Sequence, residues 1–257
     1  MRVTRRWLSL VLLVGAMLAG AGAGGARRVA QPAELAEVRT RVSSLTREGK
    51  VSEAVVEAEA FVQRHPDSAD AHLLMTEALL QMAETTTNPE RTTLLERTAR
   101  HYERVVELTK DSTLRLYSLG QLVTLHYPRS LNRLDRAETY ARRFITETPG
   151  EAVSYVYLVE LLKSTRRVDD AAQALIEARK AVSKDAFQQA HLGDLMVDLA
   201  DARHGASIDI RRLFDQAQAI ADEGLEANRG GVEGEALLQL KSQAASARVQ
   251  LEPGPRQ

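Results

Sequence analysis

An all-α protein made of repeated helix pairs is what this sequence predicts, and three observations point to it. Of the 257 residues 44% are hydrophobic but only 4% are aromatic. The apolar content therefore arrives as alanine, leucine and valine, accompanied by arginine, glutamate and glutamine, a mixture that favours helix. One cadence is written three times: KVSEAVVEA from Lys50, RLDRAETYA from Arg133 and RVDDAAQAL from Arg167. Around these phrases a second pattern recurs, with apolar or small residues on one helical face. It reads His72-x2-Met75-Thr76-x2-Leu79, Leu116-x2-Leu119-Gly120-x2-Val123, Tyr155-x2-Leu158-Val159-x2-Leu162 and Gln189-x2-Leu192-Gly193-x2-Met196.

Taken in order, the first 26 residues read as an export signal. Arg2, Arg5 and Arg6 precede an apolar run from Trp7 to about Ala19, which gives way to small residues with cleavage expected after Ala23 or Ala26. The alternative is an uncleaved inner-membrane anchor, but the run is shorter than the roughly 20 solidly apolar residues of a spanning helix. Thr4-Arg5-Arg6-Trp7-Leu8 also suits the twin-arginine route, so two export routes stay open. There is no cysteine to carry a lipid or form a disulfide. Residues 27–33 read as a short linker, residues 34–249 as the helical-repeat domain and residues 250–257 as a disordered tail.

Within the domain each unit is expected to be two antiparallel helices joined by a tight turn. Gly49 marks that turn in the first unit, and Pro66 and Pro149 stop second helices at unit ends. Ala54, Ala137 and Ala171 are the small residues where a neighbouring helix must cross closely. TTTNPERTT around Thr85 to Thr93 is expected to lengthen the loop inside the second unit, and HYPRS at His126 to Ser130 the loop inside the third. Asp201 to Asp209 interrupts the fifth, before the weaker phrase LFDQAQAIA from Leu213, and a helix over roughly Glu233 to Val249 would cap the array.

These paired patterns resemble the tetratricopeptide repeat, W-x2-L-G-x2-Y followed by A-x3-F and then P at a period of 34 residues. Ala137 to Ala171 and Leu158 to Leu192 each span one such period, and Leu119-Gly120 and Leu192-Gly193 match the Leu-Gly pair. Val38, His72, Leu116, Tyr155 and Gln189 stand where the family has tryptophan, a departure from the signature. A non-repeating helical bundle is the alternative; it does not account for two separate signatures returning at one period. The resemblance implies a right-handed α-solenoid of about five antiparallel pairs with a C-terminal capping helix and a concave groove lined by the first helices.

In that register the groove carries Asp70, Leu73 and Glu77, then Leu114, Tyr117 and Gln121, then Val153, Val156 and Glu160, then Phe187, Ala190 and Asp194. The lysine, arginine and asparagine clamp with which some family members hold acidic chain ends is absent. An apolar strip edged by Glu77, Glu160 and Asp194 remains, suited to a protein or peptide partner with an apolar core and basic flanks. These acids could equally be a solvated face.

Little in the sequence asks for chemistry. Six histidines are present, but none stands at metal-site spacing from another, and no H-E-x-x-H, G-x-S-x-G or phosphate-binding loop occurs. His72 is expected in the core or groove, and His126 and His204 in solvated insertions. Asp169-Asp170 reads as favourable charge at a helix start. No catalytic residue, cofactor, metal or small-molecule substrate is expected.

A formal net charge of −1, about −4 once Arg2, Arg5 and Arg6 are removed, gives no general attraction to nucleic acid. Membrane contact is expected only through the N-terminal segment, if it is retained. The sequence thus suggests a non-catalytic exported interaction module, most naturally in a bacterial periplasm. The alternatives are a constitutive subunit of an envelope assembly and, further off, an enzyme whose carboxylates or histidines converge from distant units.

Overall fold

The computed structural model describes residues 32–182, 186–201, 210–227 and 238–243. The proposed signal segment, most of the linker, most of the interruption after Asp201, the ends of the expected capping helix and the tail lie outside the described residues. All regular structure among the described residues is helical. The helices are α1 (Pro32–Arg47), α2 (Val51–Arg64), α3 (Ala69–Thr85), α4 (Glu90–Leu108), α5 (Ser112–His126), α6 (Leu134–Glu147), α7 (Val153–Ser164), α8 (Val168–Ala181), α9 (Ala186–Asp201) and α10 (Ile210–Ala227). A further helical stretch covers residues 238–243. None of the described helices is long and apolar enough to cross a membrane.

The chain forms two compact units that meet in sequence at Arg133 and Leu134. Unit 1 contains α1 to α5, unit 2 contains α6 to α10, and the boundary falls inside the third helix pair of the sequence reading. In each unit every helix packs on the next, and first helices also pack on one another: α1 on α3 in unit 1, α7 on α9 in unit 2. A first helix is thus covered from more sides than a second helix. Its burial shows this, since α3 buries nine residues, from Ala71 to Ala83, while α6 buries only the stripe Ala137, Ala141 and Phe144.

The repeated phrase occupies the same structural place each time. Its apolar second residue, Val51, Leu134 or Val168, is the first residue of α2, α6 or α8. Its alanine, Ala54, Ala137 or Ala171, is fully buried. The residue just before the phrase, Gly49, Asn132 or Arg166, has a positive φ of 76°, 52° or 61°. For Gly49 and Arg166 the hydrogen bonds explain why. The amides of Gly49 and Lys50 donate to the carbonyls of Thr46 and Leu45, and those of Arg166 and Arg167 to Lys163 and Leu162. This left-handed cap satisfies carbonyls that the ended helix leaves free. A side-chain acceptor starts the following first helix in two cases: Ser68 takes the Ala71 amide at α3, and Asp111 the Thr113 and Leu114 amides at α5.

The TTTNPERTT expectation needs correcting. Helix α3 runs to Thr85 and α4 begins at Glu90, so only Thr86 to Pro89 are left as connection. The extra residues went into longer helices. In unit 2, Gln188 of α9 accepts from the Ala152 amide at 2.7 Å and donates to Glu151 at 2.6 Å, tying α9 to the start of α7. Leu240 packs so tightly on Gly193 that a Cβ there would lie 2.3 Å from its Cδ2. The glycine of the Leu192-Gly193 pair thereby lets the stretch 238–243 approach α9.

Candidate functional site: the first-helix faces

On α3, Asp70, Leu73 and Glu77 follow one another at helical spacing and share a face. Asp70 is half-buried, Leu73 is buried and Glu77 is exposed. Between α1 and α3 lies a cavity of about 340 Å³ lined by Val42, Thr46 and Arg47 from one helix and Glu77, Ala78 and Gln81 from the other. Glu77 therefore stands in a concavity: its side chain is open to water, yet the surrounding protein removes enough solvent to push its carboxyl above the ordinary value, against the pull of Arg39. Among the described residues no hydrogen bond or ion pair engages it.

Tyr117 of α5 is brought to the same neighbourhood. Its ring meets that of buried Tyr102 edge-on, with centroids 6.3 Å apart and planes at 68°. Burial, followed by the proximity of Tyr117, pushes the titration of the Tyr102 hydroxyl far up, with Thr76 opposing. Glu77 acts on the same hydroxyl electrostatically. Thr76, Glu77, Tyr102 and Tyr117 thus connect α3, α4 and α5, and half-buried Gln121 lies one turn beyond Tyr117.

In unit 2, Val156 of α7 is buried and Val153 is 38% exposed. Glu160 is half-buried and engaged by Lys163 of its own helix at 2.9 Å. Asp194 of α9 is exposed; Phe187 belongs to the first turn of α9, and its side chain lies outside the described residues. The acidic edge of the sequence reading therefore divides by environment. Glu77 is crowded and unengaged, Glu160 is neutralised by a neighbour, and Asp194 lies at the surface.

The histidines behave differently from expectation in two places. His126, assigned to a solvated insertion, is the last residue of α5, wholly buried, with Nδ1 donating to the Leu122 carbonyl at 2.8 Å. His72 is buried as expected, but its Nδ1 lies 2.8 Å from Nδ1 of His101 on α4. A separation of 29 residues gave no sign of this contact. His204 lies outside the described residues. No cluster of three or more histidine, aspartate or glutamate residues able to hold a metal occurs among the described residues. Asp170 at the start of α8 is paired with Arg167 at 2.6 Å, in keeping with its reading as a helix-start charge.

Three second helices, α2, α6 and α8, follow a residue of positive φ and carry a buried alanine at the same place, and within each unit first helices pack on one another. The chain is an all-α protein of stacked helix pairs. No protein-family model matches it, and neither does any curated protein. Among solved structures it is similar to YrrB, a tetratricopeptide repeat protein with an unusual peptide-binding site, at 11% identity and a TM-score of 0.37 over 80% of this chain and 90% of that one. It is similar also to TTC0263, a thermophilic tetratricopeptide repeat protein of Thermus thermophilus, at 14% identity and a TM-score of 0.36 over 84% of this chain and 99% of that one. A tetratricopeptide repeat protein from Parabacteroides merdae matches at 14% identity and a TM-score of 0.33, over 84% of this chain and 86% of that one.

Proposed function

We propose that this helical-repeat protein is a non-catalytic, exported interaction module that holds an extended protein or peptide partner against its first helices. The single observation that carries the reading is the α1–α3 cavity with Glu77 standing unengaged in it. A carboxylate kept in a crowded concavity without a protein partner weakens the fold, and a cationic group brought by a ligand would relieve that cost. Apolar residues such as Val42 and Ala78 beside it give the rest of a segment something to pack against. The partner is accordingly a segment with an apolar core and lysine or arginine at its flank, and no nucleic acid or cofactor takes part. The N-terminal segment supports export to a bacterial periplasm, which sequencing the N-terminus of the protein purified from an envelope fraction would test.

The binding experiment is an array of extended peptides with apolar cores, with and without flanking lysine or arginine, probed with the purified protein. Saturable binding to the basic-flanked set, weakened in the variant carrying Glu77→Lys and Glu160→Lys at unchanged helicity, is the expected result. Equal affinity of the native protein and this variant would retire the groove reading.

A further inference from the structure

We propose that His72 and His101 form a neutral, hydrogen-bonded imidazole pair that latches α3 to α4 and opens when acid places a proton on each ring. The geometry fixes the protons. His72 Nε2 lies 2.9 Å from the Pro66 carbonyl, which can only accept, so Nε2 carries the hydrogen. A neutral His72 then has a bare Nδ1, and His101 Nδ1, 2.8 Å away, must be the donor to it. The two rings are 5.1 Å apart between centroids and tilted by 39°, so the contact is edge to edge through these nitrogens. One chain of hydrogen bonds thereby runs from His101 of α4, through His72 of α3, to the turn that follows α2.

The first proton this pair accepts can sit on His101 Nε2, which leaves the His101-to-His72 bond intact. The second has only His72 Nδ1 to go to. There it meets the Nδ1–H of His101 head-on, and two donors facing each other at hydrogen-bond distance cannot remain so. The pair therefore titrates as a unit and resists full protonation.

Its surroundings give little relief. His72 is nearly enclosed, and the loss of water holds its titration below the ordinary value; the Pro66 bond, Asp67 and Glu107 pull upward while Arg104 pushes down. Burial, then His72, Arg97 and Arg100 bring His101 down to about 4. Asp67 of the turn is itself held by Arg104 at 3.8 Å, Glu107 by the same guanidinium at 2.5 Å, and Glu59 of α2 by Arg97 at 3.3 Å. From α1, Glu34 is spent on Arg64 and His65 at the end of α2, and from α5 the Arg115 guanidinium is engaged by the Thr109 carbonyl. Each of these carboxylates already serves another cation, so a second positive charge on the pair goes uncompensated.

The linkage follows in sign. Both rings titrate lower in the folded chain than in the unfolded one, so between about pH 6.5 and 4 the unfolded chain binds more protons. Stability is full above that window and falls as pH drops through it, by up to about tenfold in the folding equilibrium constant per pH unit for each proton.

The experiment is chemical unfolding of the purified protein at about pH 7.5, 6.5, 5.5 and 4.5, compared with His101→Gln, which removes one titrating ring but keeps an amide donor for His72. The native protein is expected to lose stability across the window, and the variant to lose at least about threefold less in equilibrium constant between about pH 6.5 and 4.5. Equal pH dependence in the two would overturn the latch. Imidazole ¹⁵N spectra of the native protein give a test that does not depend on the variant folding. A neutral His72 with hydrogen on Nε2 and a neutral His101 with hydrogen on Nδ1 at about pH 7 are expected; two rings titrating independently near about pH 6.5 would overturn it.

Discussion

Arg167 Nη1 lies 2.6 Å from Glu138 Oε2, and this ion pair joins one copy of the repeated phrase to the copy before it. Arg167 opens the third phrase, and Glu138 follows the buried alanine of the second. In unit 1, Arg133, which opens the second phrase, reaches Glu96 of α4, one position past Leu95, which is buried like Ala137. The outer layer of each unit is thus stitched from repeat to repeat: Arg97 to Glu59 joins α4 to α2, and Arg179 to Glu223 joins α8 to α10. The opening basic residue of the phrase is part of the fold as much as its alanine is.

A double-mutant cycle with Arg167→Ala and Glu138→Ala measures that pair. Both side chains reach solvent, so the expected coupling is about 0.3–1 kcal/mol, shrinking in high salt. Burial raises the Glu138 carboxyl, but hydrogen bonds from Arg142 and Arg167 hold it below the ordinary value overall. The coupling should therefore be complete at neutral pH and disappear as pH falls below about 4.5 through the folded-state value. A coupling that shows no loss at any pH below about 4.5 would mean it is not this carboxylate that Arg167 meets.

Gly49 and Arg166 make a matched pair at equivalent turns. Both have positive φ and the same cap hydrogen bonds, but only Gly49 adopts that backbone without a Cβ cost. Nothing lies within 4 Å of a Cβ built on Gly49, so Gly49→Ala probes backbone strain alone and is expected to cost about 1 kcal/mol. Arg166→Gly should move the other way, stabilising unit 2 by about 0.5 kcal/mol once the extra freedom of the unfolded chain is subtracted. Urea midpoints of the two variants would show opposite displacements from the native protein.

Ala171 is fully buried where α8 meets its neighbours. Ala171→Leu enlarges the side chain at a packed crossing and is expected to destabilise by about 1–3 kcal/mol, read as a lower thermal midpoint. An unchanged midpoint would show that the crossing has room the packing does not reveal.

What the sequence made legible follows from how each feature is encoded. The second helices were readable because close helix crossing demands a small residue, and Ala54, Ala137 and Ala171 recur at one place in a phrase. The turns were half readable: Gly49 announces a left-handed cap, whereas Arg166 and Asn132 do so only through position. Thr85 to Thr93 misled because threonine, asparagine and proline signal loops locally, while tertiary packing drew the first of them into α3 and the last into α4. The His72–His101 contact was not readable at all. It depends on how α3 lies against α4, and no short-range pattern records that. The sequence gives Glu77 a helical position but not its isolation from protein partners, which appears only once α1 closes one side of the cavity.

Glu77 also gives the sharpest test of whether the cavity is a cost to the fold. Its carboxyl is raised by loss of solvent, with Arg39 opposing, so the folded chain holds this proton more tightly than the unfolded chain does. Just above about pH 4.5 the folded state therefore binds more protons, and stability must fall as pH rises through the folded-state value, remaining lower at neutral pH. Glu77→Gln keeps the shape and removes the charge. The variant is expected to match the native protein near about pH 4 and to melt higher at about pH 7, a difference that scanning calorimetry at the two pH values would read directly. If a basic peptide then raises the native midpoint at neutral pH but leaves that of Glu77→Gln unchanged, the ligand is relieving the same charge the substitution removes.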